Sequence, residues 1–280
     1  QTWSVPPAPS RINIMPSKRT GHQARKRFGQ NFLVDQNIIE NIVAAIAPQP
    51  GQNLVEIGPG QGAITGPLLE KCSALNVVEL DRDLIPILQN KFQQYPGLTI
   101  HQGDALKTDF EQFYKEGKPL RVIGNLPYNI STPLLFHLLS FNKQICDMYF
   151  MLQKEVVERL GASPGEKHYG RLSVMVQYHC KVQPLFLVPP TAFRPAPKVE
   201  SAIVQLRPYE EPPHLASNFS VFSKLVRTCF QQRRKTIKNS LKLFLDTEQV
   251  DQLNIDLTLR PEKLSVAEFV QLSNQMDTLL

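Results

Sequence analysis

Residues 124–131 read GNLPYNIS and follow the largely apolar run Leu120–Ile123. Asn125 offers a side-chain carbonyl and Leu126 a backbone carbonyl. Pro127 restricts Leu126 to extended backbone angles and so aims that carbonyl, while Tyr128 presents a ring face on which a base can stack. Two acceptors aligned on the N–H bonds of a conjugated amine, such as adenine N6, draw the nitrogen toward tetrahedral geometry and direct its lone pair outward. Attack on a methyl group with a good leaving group then needs in-line placement and electrostatics rather than a strong base. Taken alone, the tetrapeptide reads better as an Asn-Pro type turn with a packed tyrosine.

The elements around it decide between these readings. Residues 55–65, VEIGPGQGAIT, place Gly58, Gly60 and Gly62 between a buried strand, NLVEIG, and a helix, AITGPLLEKC. LNVVEL reads as the second strand and ends near Glu79, and LTIHQ as the third, followed by Asp104 in GDAL. LRVIGN is the fourth strand and CDMYFML the fifth, with helical RDLIPILQNKF and TPLLFHLLSF between strands. Apolar strands alternating with helices predict a doubly wound parallel sheet, whose strand carboxyl ends face one crevice. A carboxylate at the second strand's end can accept from both ribose hydroxyls, and Asp104 can accept from an adenine amine or cap a helix. The spacing E-x-G-x-G-x-G differs from the dinucleotide fingerprint G-x-G-x-x-G. It resembles the S-adenosylmethionine loop of Rossmann-like methyltransferases.

Ahead of the first strand, Asp35 caps a helix with Ile38, Ile39, Ile42, Val43 and Ile46 at helical spacing, ended by Pro48, Pro50 and Gly51. Residues 185–208 read as two strands joined by a Pro-rich loop too short for a crossover helix, hence an antiparallel pair at the sheet edge. After RPYEEPPH (207–214) the pattern is helical.

The net charge of +6 is localised. Residues 1–34 carry Arg11, Lys18, Arg19, Arg25, Lys26 and Arg27 with no carboxylate, and the remaining 25 basic residues balance the 25 acidic ones. A second cluster, QQRRKTIKNSLK (231–242), holds Arg233, Arg234, Lys235, Lys238 and Lys242. Two basic segments on a balanced body point to a polyanion such as nucleic acid. The four scattered cysteines contain no C-x-x-C pair and the six histidines no H-E-x-x-H pair, which argues against a disulfide framework and a metal site. No run approaches a membrane span or a secretory signal, which predicts a soluble, cytoplasmic protein.

In series these motifs are specific. The chain resembles the ribosomal RNA adenine N6-dimethyltransferases of the bacterial small-subunit type. The likeness is carried by RKRFGQNFLVD (25–35), VEIGPGQGAIT (55–65), VVELDRDL (77–84), GDAL (103–106), VIGNLPYNIS (122–131), FMLQKEV (150–156), YGRLSVMVQY (169–178), FRPAPKVESA (193–202) and QRRKTIKNSL (232–241). It runs from about residue 18 to the C-terminus, and the first fourteen residues match nothing in the family pattern.

The resemblance implies a Rossmann-like class I methyltransferase fold: a mostly parallel seven-stranded sheet with an antiparallel edge, plus a small all-helical C-terminal domain. It implies a flexible basic arm over 1–27, a methyltransferase domain over 28–208 and a helical RNA-recognition domain over 209–280. Asn31 and Leu33 would close over S-adenosyl-L-methionine. Gly58 and Gly60 would flank its methionine part, with Glu79 on the ribose, Asp104 on the adenine and Asn125 beside it. Asn125, Leu126, Pro127 and Tyr128 would orient the target base, with Phe193 as a second aromatic surface. Arg233, Arg234, Lys235 and Lys238 would meet RNA.

The implied activity is dimethylation of two adjacent adenosines in a hairpin loop near the 3′ end of small-subunit rRNA, by a monomer acting on a pre-ribosomal particle. Such a loop base is cheaper to extrude than a paired one. The related large-subunit rRNA methyltransferases that confer macrolide resistance are the nearest alternative, and FRPAPKVESA with QRRKTIKNSL fits the small-subunit group better. An assembly-checkpoint role based on binding could coexist with catalysis. A nicotinamide oxidoreductase is disfavoured by the glycine spacing.

Overall fold

The computed structural model of the chain describes residues 31–280, so the predicted arm over 1–27 lies outside the described residues. The chain divides into two compact units. One runs to Lys154 and takes in Gln183–Pro208, and the other comprises Glu155–Val182 with Tyr209–Leu280.

The first unit opens with β1 (Phe32–Leu33) and α1 (Gln36–Ile46). Asp35 caps α1 as expected, its carboxylate accepting from the Asn37 and Ile38 amides, and Ile39, Ile42, Val43 and Ile46 are buried. There follow β2 (Asn53–Ile57), α2 (Thr65–Cys72), β3 (Leu75–Glu79), α3 (Ile85–Lys91), β4 (Leu98–Gln102), β5 (Leu120–Asn125), α4 (Ser131–Leu139) and β6 (Ile145–Gln153). Two helices, α5 (Lys154–Gly161) and α6 (Arg171–His179), lead into β7 (Cys180–Val188), β8 (Phe193–Arg194) and β9 (Ser201–Pro208).

The seven-stranded sheet has the order β4-β3-β2-β5-β6-β9-β7. β2 pairs in parallel with both β3 and β5, β3 with β4, and β5 with β6, whereas β9 is antiparallel to β6. Every residue of β2 is buried, as parallel strands covered on both faces require. The expected antiparallel edge is present, with β9 seated between β6 and β7. The chain proceeds from β2 to β3 and β4 on one side and returns to place β5 on the other. Connections after β2 and β5 therefore leave in opposite directions, and the crevice of a doubly wound sheet opens between their carboxyl ends. β1 pairs antiparallel with β8 (Leu33↔Phe193), a two-stranded ribbon that no sequence pattern signals.

A buried ion pair braces the opposite end of β5. Arg121 grips Asp147 through Nε and Nη2, both at 2.9 Å, and donates to the Gln52 side chain and to the Ile46 carbonyl at the end of α1, each at 2.7 Å.

In the second unit, α7 (Phe219–Gln231), α8 (Ile237–Leu241), α9 (Thr247–Asp251) and α10 (Val266–Asp277) join α5 and α6. Phe222, Leu225, Val226 and Cys229 form the buried face of α7. Tyr169, fully buried, donates to the Leu264 carbonyl at 2.7 Å. The resemblance implies a division at 208/209. The units divide there and also after Lys154 and Val182, because the 155–182 helices bury their apolar faces among the C-terminal helices.

Candidate active site

A cavity of ≈370 Å³ lies in the first unit at the carboxyl ends of β2, β3, β4 and β5. Its lining includes Asn31, Leu33, Gly58, Gly60, Glu79, Asp104, Asn125, Leu126, Pro127, Tyr128 and Phe193, so side chains up to 162 positions apart in sequence share one wall. The doubly wound order is what collects them: they come from strand ends, from the loops directly after them, or from the β1–β8 ribbon and the residue before it.

Local backbone chemistry shapes each wall. Gly58 and Gly60 have φ of +64° and +59°, in the left-handed region that disfavours side chains. A Cβ at Gly60 would also crowd the Phe32 ring at 3.2 Å. The turn thereby aims the Gly60 amide at Glu79, which accepts it through Oε2 at 3.2 Å. Glu79 Oε1 accepts the Asp81 amide at 2.7 Å. Each carboxylate oxygen keeps lone-pair capacity for a further donor, the requirement for gripping a vicinal diol. Burial raises the Glu79 carboxyl to a pKa of about 6, the Asp81 and Gly60 amides opposing the shift. Glu56, directly beneath the glycine turn, accepts from the Thr65 hydroxyl at 2.6 Å and is pushed by burial to about 7.

Asp104 accepts the Leu106 amide through Oδ1 at 3.0 Å. It is thus a turn cap, the plainer of the two readings of its sequence position, with its second oxygen left for a ligand amine. Asn125 donates through Nδ2 to the Asn31 carbonyl at 3.3 Å. That bond fixes the sense of the carboxamide and leaves Oδ1 as an acceptor. Leu126 donates its amide to the Met151 carbonyl of β6 at 3.2 Å, and among the described residues no donor takes up the Leu126 carbonyl. The Pro127 carbonyl accepts from the Ile130 amide and the Tyr128 carbonyl from the Ser131 hydroxyl. Two acceptors, Asn125 Oδ1 and Leu126 O, are therefore held on one loop that is itself hydrogen-bonded on either side.

Residues 21–278 match the family model described as "Ribosomal RNA adenine dimethylase". The chain belongs to that family. It is similar to the Saccharophagus degradans protein named Ribosomal RNA small subunit methyltransferase A, at 60% identity over 91% of this chain and 96% of that one. The Pseudomonas aeruginosa protein of the same name is 57% identical over 92% of this chain and 96% of its own length. Among solved structures, a dimethyladenosine transferase from Plasmodium falciparum aligns with a TM-score of 0.73 and 28% identity, covering 86% of this chain and 95% of that one. The 23S rRNA methyltransferase ErmE, at 23% identity and a TM-score of 0.70 over 88% of this chain and all of its own, shares the fold.

This dimethylase is a methyltransferase of class I fold that uses S-adenosyl-L-methionine and releases S-adenosyl-L-homocysteine. The cavity's donor and acceptor set fits that cofactor: a carboxylate pair for a diol and an amine, a turn of glycine backbone, and apolar walls from Ile57, Val78 and Leu80. Leu80 and Asp81 line the cavity and were not singled out from sequence, and Glu56, the acidic residue of the E-x-G-x-G-x-G spacing, lines it too. Leu80 had a legible signal, an apolar residue directly after the carboxylate of the second strand, and it is 49% exposed at the cavity mouth. Phe193 differs in character from an open stacking surface: it is 1% exposed and forms part of the cavity wall within the apolar core.

The predicted RNA-binding residues lie in the helical unit and are not equivalent. Arg233 donates to the Lys167 and Tyr169 carbonyls at 3.1 and 3.0 Å, which makes it an intra-unit brace. Lys238 lies 3.7 Å from Asp251. Arg234 and Lys235 are exposed. Among the described residues, no helix is long and apolar enough to cross a membrane.

Proposed function

We propose that this enzyme dimethylates N6 of two adjacent adenosines in the hairpin loop near the 3′ end of small-subunit rRNA. It acts as a cytoplasmic monomer on a pre-ribosomal 30S-type particle. The observation that carries the reading is the pair of acceptors, Asn125 Oδ1 and Leu126 O, across the crevice from Glu79 and Asp104. The names and identity of the curated relatives support the choice of the small subunit.

When bound, S-adenosyl-L-methionine supplies an electrophilic methyl group on a sulfonium. Glu79 grips the ribose diol, Asp104 the adenine amine, and Gly58 and Gly60 bring backbone close to the methionine part, under the cover of Asn31 and Leu33. Asn125 and Leu126 accept the two N–H bonds of the target N6 and turn its lone pair outward. Pro127 holds the Leu126 carbonyl in place and Tyr128 stacks on the extruded base, with Phe193 behind it. No side chain acts as a strong base, and the N6 proton leaves to solvent after transfer. A monomethylated N6 retains one N–H for an acceptor, so the same site serves the second transfer. Residues 209–280 form the RNA-recognition domain, in which Arg234 and Lys235 meet phosphates and Arg233 and Lys238 shape the surface that carries them.

The test incubates the enzyme and labelled cofactor with unmethylated small and large ribosomal subunits, then maps the modified nucleoside by mass. Dimethyladenosine in the 3′ hairpin of the small subunit is the expected result. Label confined to the large subunit overturns the assignment.

A further inference from the structure

We propose that Ser201 is a positioning residue for methyl transfer, its hydroxyl fixing the plane of the Tyr128 ring against which the target adenine stacks. Ser201 Oγ lies 2.7 Å from Tyr128 Oη. The two residues are remote in sequence and arrive by different routes. Tyr128 sits half-buried on the loop after β5, whereas Ser201 is fully buried as the first residue of β9, paired with Gln153 at the end of β6. A loop tyrosine with two free torsions is thereby tied at its far end to the sheet.

Chemistry favours a role beyond packing. A hydroxyl at a fully buried position is costly unless it is bonded, and alanine would fill the same space. Among the described residues, Tyr128 Oη is the side-chain partner of that hydroxyl. Burial raises the Tyr128 phenol above its ordinary range, the bond to Ser201 opposing the shift, so the ring stays neutral and either oxygen can donate. The Ser201–Tyr128 bond restrains ring tilt, and ring tilt sets where N6 lies on the line of transfer, a placement to which rates are steeply sensitive.

The inference rests on the proposed stacking role of Tyr128. The experiment measures kcat and KM on unmethylated small subunits, cofactor affinity and thermal stability for Ser201→Ala, Tyr128→Phe, the double variant and Tyr128→Ala. Loss of one hydrogen bond is expected to lower kcat about five- to tenfold in each of the first two, with KM and cofactor affinity unchanged. The double variant should be no slower than the slower single, since both remove the same bond. Full kcat in both singles, or losses that multiply in the double, overturns the proposal. Should Ser201→Ala fail to fold, Tyr128→Phe decides alone, and an unchanged kcat overturns it. Tyr128→Ala separates the two ideas. Activity lost there but kept in Tyr128→Phe and Ser201→Ala sinks only the role of Ser201, whereas full activity in Tyr128→Ala sinks the role of Tyr128 itself.

Discussion

At the scale of single residues, Glu79, Asp104 and Asn125 of the proposed site each make a local hydrogen bond and keep acceptor capacity for a ligand. Asn125 shows this most directly, because its amide is spent on the Asn31 carbonyl and its oxygen is not. Asn125→Ala is expected to reduce methylation by at least about a hundredfold, on the scale of removing a transition-state acceptor. Cofactor affinity, read by calorimetry, should change little. Glu79 gives a pH prediction. Its carboxyl titrates near 6 in the free protein, and a diol donating to it favours the ionised form. Cofactor affinity should therefore hold above that pH and weaken below it, by up to about tenfold per pH unit. Glu79→Gln should bind more weakly and lose the dependence. For folding the sign is opposite: Glu79 and Glu56, at about 6 and 7, are both raised above the ordinary carboxyl value of 4.5. Their stabilising contribution is complete below that value and fades as pH rises through 6 to 7, so the thermal midpoint of Glu56→Gln should depend less on pH over that window.

At the scale of elements, the strand ends are only as well placed as the sheet beneath them. β5 delivers Asn125 at its carboxyl end and is braced at its other end by Arg121, which joins Asp147 of β6 to the last carbonyl of α1. Arg121→Ala would leave the Asp147 carboxylate buried without its partner, and the expected loss is about 3–5 kcal/mol in chemical denaturation. Asp147→Asn with Arg121→Met should recover part of it, since replacing both charges removes the unpaired one. The glycine turn was legible as a loop from spacing alone. Its packing was not: Lys91 at the end of α3 donates to the Gln61 carbonyl at 2.9 Å and so holds the turn from outside.

At the scale of the whole molecule, the basic segment of 231–242 divides into residues that hold the helical unit together and residues that face solvent. Arg234→Glu with Lys235→Glu should weaken binding to small-subunit RNA and flatten its salt dependence by roughly 0.7–0.9 in log–log slope for each phosphate no longer neutralised. Cofactor affinity should be untouched. Filter binding across a salt series measures the first effect and calorimetry the second. Arg233→Glu should also lower the melting temperature, because two backbone carbonyls are deprived of their donor. An effect of Arg234 and Lys235 equal to zero would make the segment an ordinary solvated face.

Hydrophobic period and turn chemistry are local properties, so the alternation of strands and helices, the glycine turn, and the carboxylates and tetrapeptide at the strand ends are legible in the residues alone. The sequence also carried the family, through motifs in series. Pairings between distant segments are not legible there, because they are set by packing. The β1–β8 ribbon joins residues 32–33 to 193–194, the 155–182 helices cluster with the C-terminal ones, and Arg233 serves as a brace rather than a free cation. Ser201 beneath Tyr128 belongs to the same class. Two-residue strands, single hydrogen bonds and a buried hydroxyl leave no periodic trace in a sequence. Their partners are chosen by packing.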